Sequence, residues 1–112
     1  MTLRQKQSLF AGLIAQLIQH AIVIGYEVTL GEALRSPEEA ARLAKLGTGI
    51  ALSLHRLKLA IDLNLFKDGV YLTSTAAHRP LGEWWEAQHT LCRWGGRFKD
   101  GNHYSLAHGG RQ

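Results

Sequence analysis

The chain has 112 residues, of which 46% are hydrophobic and 20% are charged, a composition typical of one globular domain. Cys92 is its one cysteine, which excludes an intrachain disulfide and a zinc ribbon built from several cysteines. The formal net charge is +4, and a basic surface favours polyanions such as nucleic acid, anionic membranes and cell-wall polymers. Because the thirteen Lys and Arg residues are scattered and form no long run, we predict no specific nucleic-acid binding.

An amphipathic helix is predicted over about 3–24, with Gly25 as its C-cap. Apolar residues at helical spacing form the face that should cover a core: Phe10, Leu13, Ile14, Leu17, Ala21 and Ile24. Gln16, Gln19 and His20 interrupt the apolar run, and no A-x-A cleavage site follows it. The sequence therefore predicts neither a transmembrane segment nor a signal peptide, and we expect the protein to accumulate in the cytoplasm.

A short strand and a second helix are predicted next. Apolar and polar residues alternate over 26–30, which is typical of a strand. Ser36 is followed by Pro37 and two glutamates. An N-cap serine, a proline in the first turn and acidic residues after it are typical of a helix start. This helix is predicted to reach about residue 46, followed by a loop at 47–49.

The second half of the chain predicts a β-hairpin and a third helix. LAIDLNLF at 59–66, a turn at 67–69 and VYL at 70–72 are typical of a hairpin. Apolar residues over 80–94 predict a helix that Gly95-Gly96 stops, and a loop with one short strand follows. Helices and antiparallel strands in mixed order predict one α+β domain over 1–112, with helices packed on one side of an antiparallel sheet.

His55 and Asp62 are the first candidate metal ligands. They are seven residues apart, and an odd spacing on one continuous strand places two side chains on opposite faces. They can share a metal only if His55 lies in a turn before the strand and Asp62 lies on the strand.

Asp100 and His103 are the second pair. Their spacing of three residues points both side chains the same way on a turn or helical bend. Two histidines and a carboxylate with a fourth, open position form a usual catalytic zinc site. Asp100 can then act as general base on water that the zinc activates.

These residues lie in segments that resemble a known family, the D-Ala-D-Ala metallopeptidases, which are related to lysostaphin and to the hedgehog signalling domain. SLHRLKLAID at 53–62 resembles the motif S-x-H-x-x-G-x-A-x-D, with Lys58 at the usual glycine position. Gly95-Gly96 followed by DGNHY at 100–104 resembles the closing W-G-G…D-x-x-H-F segment. LRSPEE at 34–39 resembles R-[ST]-x-x-[EQ]. The three segments occur in the family's order, which makes the match specific.

The resemblance implies a zinc-dependent peptidase that hydrolyses peptidoglycan stem peptides, with His55, Asp62 and His103 as zinc ligands and Asp100 as general base. Aspartate at the base position is similar to the phage endolysins that are L-alanyl-D-glutamate endopeptidases. In that branch a holin releases a cytoplasmic enzyme to the wall. D-Ala-D-Ala carboxypeptidase activity is the other possibility, and we expect a monomer.

Three residues are predicted to bind substrate. The arginine of the family's first segment contacts substrate, which implies this role for Arg35, and Ser53 begins the second segment. His78 precedes Arg79 and Pro80, in a predicted loop that can line the cleft, although a surface or core-edge position is its simpler interpretation.

Two other functions agree with part of the sequence. A non-catalytic zinc-binding module of the same fold is one, but Asp100 argues against it because a structural zinc site needs no base. A basic nucleic-acid-binding protein is the other, and it would need a clustered basic face that the sequence lacks.

Overall fold

The computed structural model describes residues 1–31 and 54–110 of the chain. The helix predicted over 36–46 and the loop predicted over 47–49 lie outside the described residues, as do Arg35 and Ser53. Within the described ranges, no helix combines the length and apolarity needed to cross a membrane.

The first helix, α1, spans Leu3–Val23, one residue shorter than predicted. Thr2 caps it: its side chain accepts a hydrogen bond from the Gln5 backbone, and the Gln5 side chain accepts one from the Thr2 backbone. This reciprocal pair satisfies two amide groups that the first turn leaves unpaired. The predicted apolar face is buried apart from Ile24, which lies at the C-cap and is 42% exposed.

An antiparallel sheet follows, in the order β1-β2-β5-β4 with β3 also paired to β2. Its strands are β1 (Glu27–Leu30), β2 (Ala60–Lys67), β3 (Val70–Leu72), β4 (Cys92–Trp94) and β5 (His103–Leu106). β5 pairs with the first half of β2 and β3 with its second half. β1 pairs with the opposite edge of β2. The strands β3 and β5 therefore share one edge of this central strand.

The helix predicted over 80–94 differs from the structure at both ends. The second described helix, α2, spans Thr75–Gln88, because Ser74 caps it by accepting a hydrogen bond from Ala77 N at 3.1 Å. Pro80 therefore lies inside the helix rather than at its start. Cys92–Trp94 forms β4 because it pairs with β5, and a 3-10 helix over Gly95–Phe98 follows it.

The core lies between the helices and one face of the sheet. In β2 the buried residues Ile61, Leu63 and Leu65 alternate with half-buried Asp62 and Asn64. Successive side chains of a strand point to opposite faces, so the first set enters the core and the second set lies on the other face. This is the predicted α+β architecture, and it leaves Asp62 outside the apolar core.

Candidate metal centre

His55 lies in the turn that precedes β2, the position that its spacing from Asp62 requires. Two backbone hydrogen bonds close this turn, from Leu59 N to Leu54 O at 2.9 Å and from Lys58 N to His55 O at 3.2 Å. This pair of bonds is characteristic of helix ends with a left-handed residue. Lys58 is that residue, with φ of +60°. The position where the related motif carries glycine is thus one where glycine is favoured, and the turn forms here with lysine.

Asp62 and His103 face each other across the two central strands. They are direct partners in the β2–β5 pairing, so their side chains project from the same face of the sheet. Asp62 Oδ1 lies 3.3 Å from His55 Nε2 and 3.4 Å from His103 Nδ1. One ligand atom from each of the three residues lies within 4.8 Å of the other two. Both histidines are buried.

The spacing of these atoms fits a tetrahedral cation. Zinc bonds of about 2.0–2.2 Å place two ligand atoms about 3.3–3.6 Å apart on the edge of a tetrahedron. Asp62 Oδ1 is buried and, within the described residues, has no hydrogen-bond partner. A buried carboxylate oxygen without a donor is costly unless a cation compensates it. The donor set of the cluster therefore fits a metal ion.

The charge of Asp62 agrees with this fit. Burial raises the pKa of its carboxyl group, but interactions with His103 and His55 outweigh burial and lower the pKa to about 2. The carboxylate is therefore ionised at neutral pH. An anionic oxygen and two imidazole nitrogens are ligands that zinc prefers.

The segment from Asp100 to His103 is held by the residues just before it. Asp100 N donates to Gly95 O at 2.9 Å, and His103 N donates to Asp100 O at 3.1 Å. A Cβ atom on Gly95 would lie 2.7 Å from His103 Cβ and would also overlap the Asp100 carbonyl. Because real Cβ atoms do not approach so closely, only glycine allows this close packing.

Trp94 fixes the same segment from the other side. Its indole Nε1 donates to Gly101 O at 2.7 Å, and the ring is 3% exposed. Cβ atoms added at Gly82 of α2 or at Gly96 would each overlap this ring. Trp94 is therefore enclosed between two glycines, and the W-G-G sequence positions the Asp100–His103 segment.

Of the seven predicted site residues, His55, Asp62 and His103 come together, and Asp100 lies three residues before His103 in a backbone turn. Asp100 also lines a cleft of about 170 Å3, which none of these three residues lines. His78 is 2% exposed rather than at the surface, because α2 begins before it and carries it into the core. It nevertheless lines the cleft.

His78 has a defined partner and charge state. Its Nδ1 lies 2.8 Å from the hydroxyl of Tyr104. Burial lowers the pKa of His78 to about 4 and raises that of Tyr104 above its ordinary value. Both groups are therefore neutral at pH 7.

Other residues of the cleft were not predicted from the sequence. Thr73, Thr75 and Lys99 line it together with Asp100. The N-cap sequence Thr73-Ser74-Thr75 was the available signal, because Ser before a helix marks an N-terminus.

The fold and the cluster define a small α+β domain with a candidate catalytic metal centre. A family model described as D-alanyl-D-alanine carboxypeptidase matches residues 47–106, more than half of the chain, and the chain belongs to this family. The family groups peptidases that act on peptidoglycan and depend on a metal. No curated protein matches the chain.

A solved structure supports the fold assignment. The chain is similar to the crystal structure of the Serratia marcescens L-Ala D-Glu endopeptidase ChiX, with a TM-score of 0.67 and 22% sequence identity. The similarity covers 87% of this chain and 79% of ChiX. At this identity the likeness establishes the α+β fold, in which the cluster of His55, Asp62 and His103 lies.

Proposed function

We propose that the protein is a zinc-dependent endopeptidase of the endolysin type that cleaves the L-alanyl-D-glutamate bond of peptidoglycan stem peptides. Cleavage of the terminal D-Ala-D-Ala bond is the other activity open to this family. The observation that carries the proposal is the convergence of two histidines on the buried Asp62 Oδ1, with Asp100 three residues before His103 in a backbone turn. The name of the structural relative supports the choice of bond.

His55, Asp62 and His103 would hold the zinc ion. When bound, zinc supplies Lewis-acid chemistry that polarises the scissile carbonyl and makes a hydroxide nucleophile available near neutral pH. These three side chains come from a turn and two paired strands, so the backbone orients them before any ion binds.

Asp100 would act as the general base. Its carboxylate takes a proton from the attacking water and later gives it to the nitrogen of the leaving amine, while the amide C–N bond breaks. The hydrogen bonds of Asp100 N and O to Gly95 and His103 fix its backbone. His78 and Arg35 are proposed to contact the peptide, and Ser53 to lie at the same site.

The test compares metal content with turnover. In Asp100→Asn the carboxylate becomes an amide of the same shape, so the variant should keep about one zinc and lose roughly two to four orders of magnitude in turnover. His103→Ala should lose both zinc and activity. Asp68→Asn, in the exposed β2–β3 turn, is the matched control and should keep both.

Elemental analysis gives the zinc content, and a defined L-Ala-D-Glu-containing stem peptide gives the turnover, with the products identified by mass. Release of L-alanine rather than D-alanine selects the endopeptidase. Zinc loss in Asp100→Asn would make Asp100 a ligand, and full activity in that variant would place the base elsewhere. Clearing of a cell-wall suspension by the wild type tests the endolysin role.

A further inference from the structure

The face of the sheet that carries Asp62 continues past the metal centre. Along β2, Asn64 and Phe66 project to the same side as Asp62, because residues two apart on a strand share a face. The apolar core covers the opposite face. Phe66 is four residues from Asp62, which corresponds to about 13 Å along the strand. This surface therefore extends from the candidate metal centre to the β2–β3 turn.

A row of three side chains crosses this surface. Phe66 is paired directly with Glu27 on β1 and with Tyr71 on β3, so the three side chains project to the same face. The rings of Phe66 and Tyr71 are stacked, with centroids 5.1 Å apart. Tyr71 is 51% exposed, and its hydroxyl donates to Asn64 Oδ1 at 3.3 Å. Glu27 is also exposed. The Glu27–Phe66–Tyr71 row thus presents a carboxylate and two aromatic rings to solvent.

The chemistry of this row suits an ammonium group. The faces of aromatic rings attract cations, and a neighbouring carboxylate supplies the counter-charge. Glu27 has no ion pair with another described residue. Lys67 follows Phe66 in the chain, but its Nζ lies over the ring of Tyr26, 5.6 Å from the centroid. In the part of the chain that the structure describes, no lysine or arginine lies over the rings of Phe66 and Tyr71.

The position of Asp100 indicates which half of the substrate reaches the row. β5 is antiparallel to β2, so the residues before His103 continue along β2 beyond Asp62, toward the row. Asp100 and Tyr71 line the same cleft. In the proposed mechanism Asp100 gives its proton to the leaving amine. The leaving half of the peptide therefore extends from the metal centre toward the row.

We propose that the Glu27–Phe66–Tyr71 row binds the side-chain ammonium of the second residue after the cleaved bond. The inference rests on the proposed endopeptidase function and deepens it by naming a group that selects the substrate. After cleavage between L-alanine and D-glutamate, this second residue is the diamino acid of the stem peptide, such as lysine. From the scissile nitrogen to the lysine Nζ, the extended γ-linked chain spans about 14 Å. This length matches the separation of Asp62 and Phe66 along β2, about 13 Å.

The experiment uses two synthetic peptides, L-Ala-γ-D-Glu-L-Lys-D-Ala and its analogue with norleucine in place of lysine, which keeps the carbon chain but lacks the ammonium. The zinc-loaded full chain should cleave the lysine peptide with a kcat/KM about fivefold higher, because the contacts of the ammonium with the rings and the carboxylate are lost in the analogue. Glu27→Gln and Tyr71→Leu should each lower this ratio to about twofold or less. Tyr71→Phe keeps the ring and should keep the ratio.

Glu83→Gln is the matched control. It removes an exposed carboxylate from α2, which packs on the other side of the sheet, and it should keep the wild-type ratio. Glutamine has nearly the shape of glutamate and Glu27 is exposed, so Glu27→Gln should fold like the wild type. This variant keeps the test decisive if Tyr71→Leu folds poorly.

Isothermal titration calorimetry with the two peptides, at a temperature without turnover, measures the same preference as a ratio of Kd values. Equal use and equal binding of the two peptides by the wild type would overturn the ammonium site. Unchanged ratios in both Glu27→Gln and Tyr71→Leu would overturn it as well. If the wild type binds the lysine peptide selectively and Glu27→Gln loses that selectivity, but no peptide is cleaved, the site stands and the proposed reaction alone is contradicted.

Discussion

Substituting Gly82 by alanine tests how Trp94 is held. In most helix interiors this change stabilises a protein by about 1 kcal/mol, because alanine has the higher helix propensity. Here the new Cβ atom would overlap the Trp94 indole. The ring cannot retreat, since Gly96 packs against it as closely. We therefore expect Gly82→Ala to destabilise the fold despite its better propensity.

The magnitude follows from three contributions. Overpacking of a full core costs about 1–3 kcal/mol, and displacing the indole also weakens its hydrogen bond to Gly101 O, worth about 1 kcal/mol. Subtracting the propensity gain of about 1 kcal/mol leaves a net loss of about 2 kcal/mol. For a domain of this size that lowers Tm by about 8 °C.

Gly12 of α1 provides the matched control. It lies inside a helix and is exposed, and a Cβ atom there would meet nothing within 4 Å. Gly12→Ala should therefore raise Tm by a few degrees, from a gain of about 0.5–1 kcal/mol. Urea unfolding and thermal scans followed by circular dichroism measure both variants. If Gly82→Ala is as stable as Gly12→Ala, the enclosure of Trp94 does not hold the segment before His103.

Three further predictions follow from the turn, the buried histidine and the metal centre. Lys58→Gly should stabilise the protein by about 0.5–1 kcal/mol in urea unfolding, since Lys58 has φ of +60°. Lys58→Ala, which removes the charged end of the side chain but keeps the Cβ atom, should give no gain. Burial lowers the pKa of His78 from 6.5 to about 4. Between these two pH values the unfolded chain is protonated at His78 and the folded chain is not. The free energy of unfolding should therefore fall by up to about 3 kcal/mol as the pH drops from 6.5 to 4. His78→Gln should remove this part of the pH dependence, and parallel curves for the two proteins would contradict it. Removing zinc with a chelator should lower Tm, because an ion that binds only the folded chain stabilises it. The stabilisation is about 2.7 kcal/mol when the free ion concentration is one hundred times the Kd. In Asp62→Asn the chelator should have little effect on Tm.

The elements that depend on local periodicity were predictable from the sequence. The apolar face of α1 is buried as predicted from Phe10 to Ala21. The alternation in β2 predicted a strand, and the structure has one over Ala60–Lys67. The odd spacing of His55 and Asp62 required a turn before that strand, and the turn is present. The roles of these residues in metal binding and catalysis stay predictions.

The elements that depend on distant contacts were not predictable in this way. Leu91 and Trp94 have the spacing of a helix, but their segment becomes β4 because Cys92 and Trp94 pair with β5, and three residues are too few for a periodicity to appear. Pro80 suggested a helix start, whereas the Ser74 cap lies six residues earlier. The cleft exists only because β3 and β5 share one edge of β2, which no local pattern reveals.

The register of β2 against β5 limits where the chain can gain or lose residues. One residue inserted between Ala60 and Asp62 would turn Asp62 into the apolar core, and two would move it about 7 Å along the strand, away from His103. The β2–β3 turn at Asp68-Gly69 lies at the far end of the strand, and both residues have positive φ. Length variation among related chains should therefore concentrate at this turn, while the span from His55 to Asp62 keeps a constant number of residues.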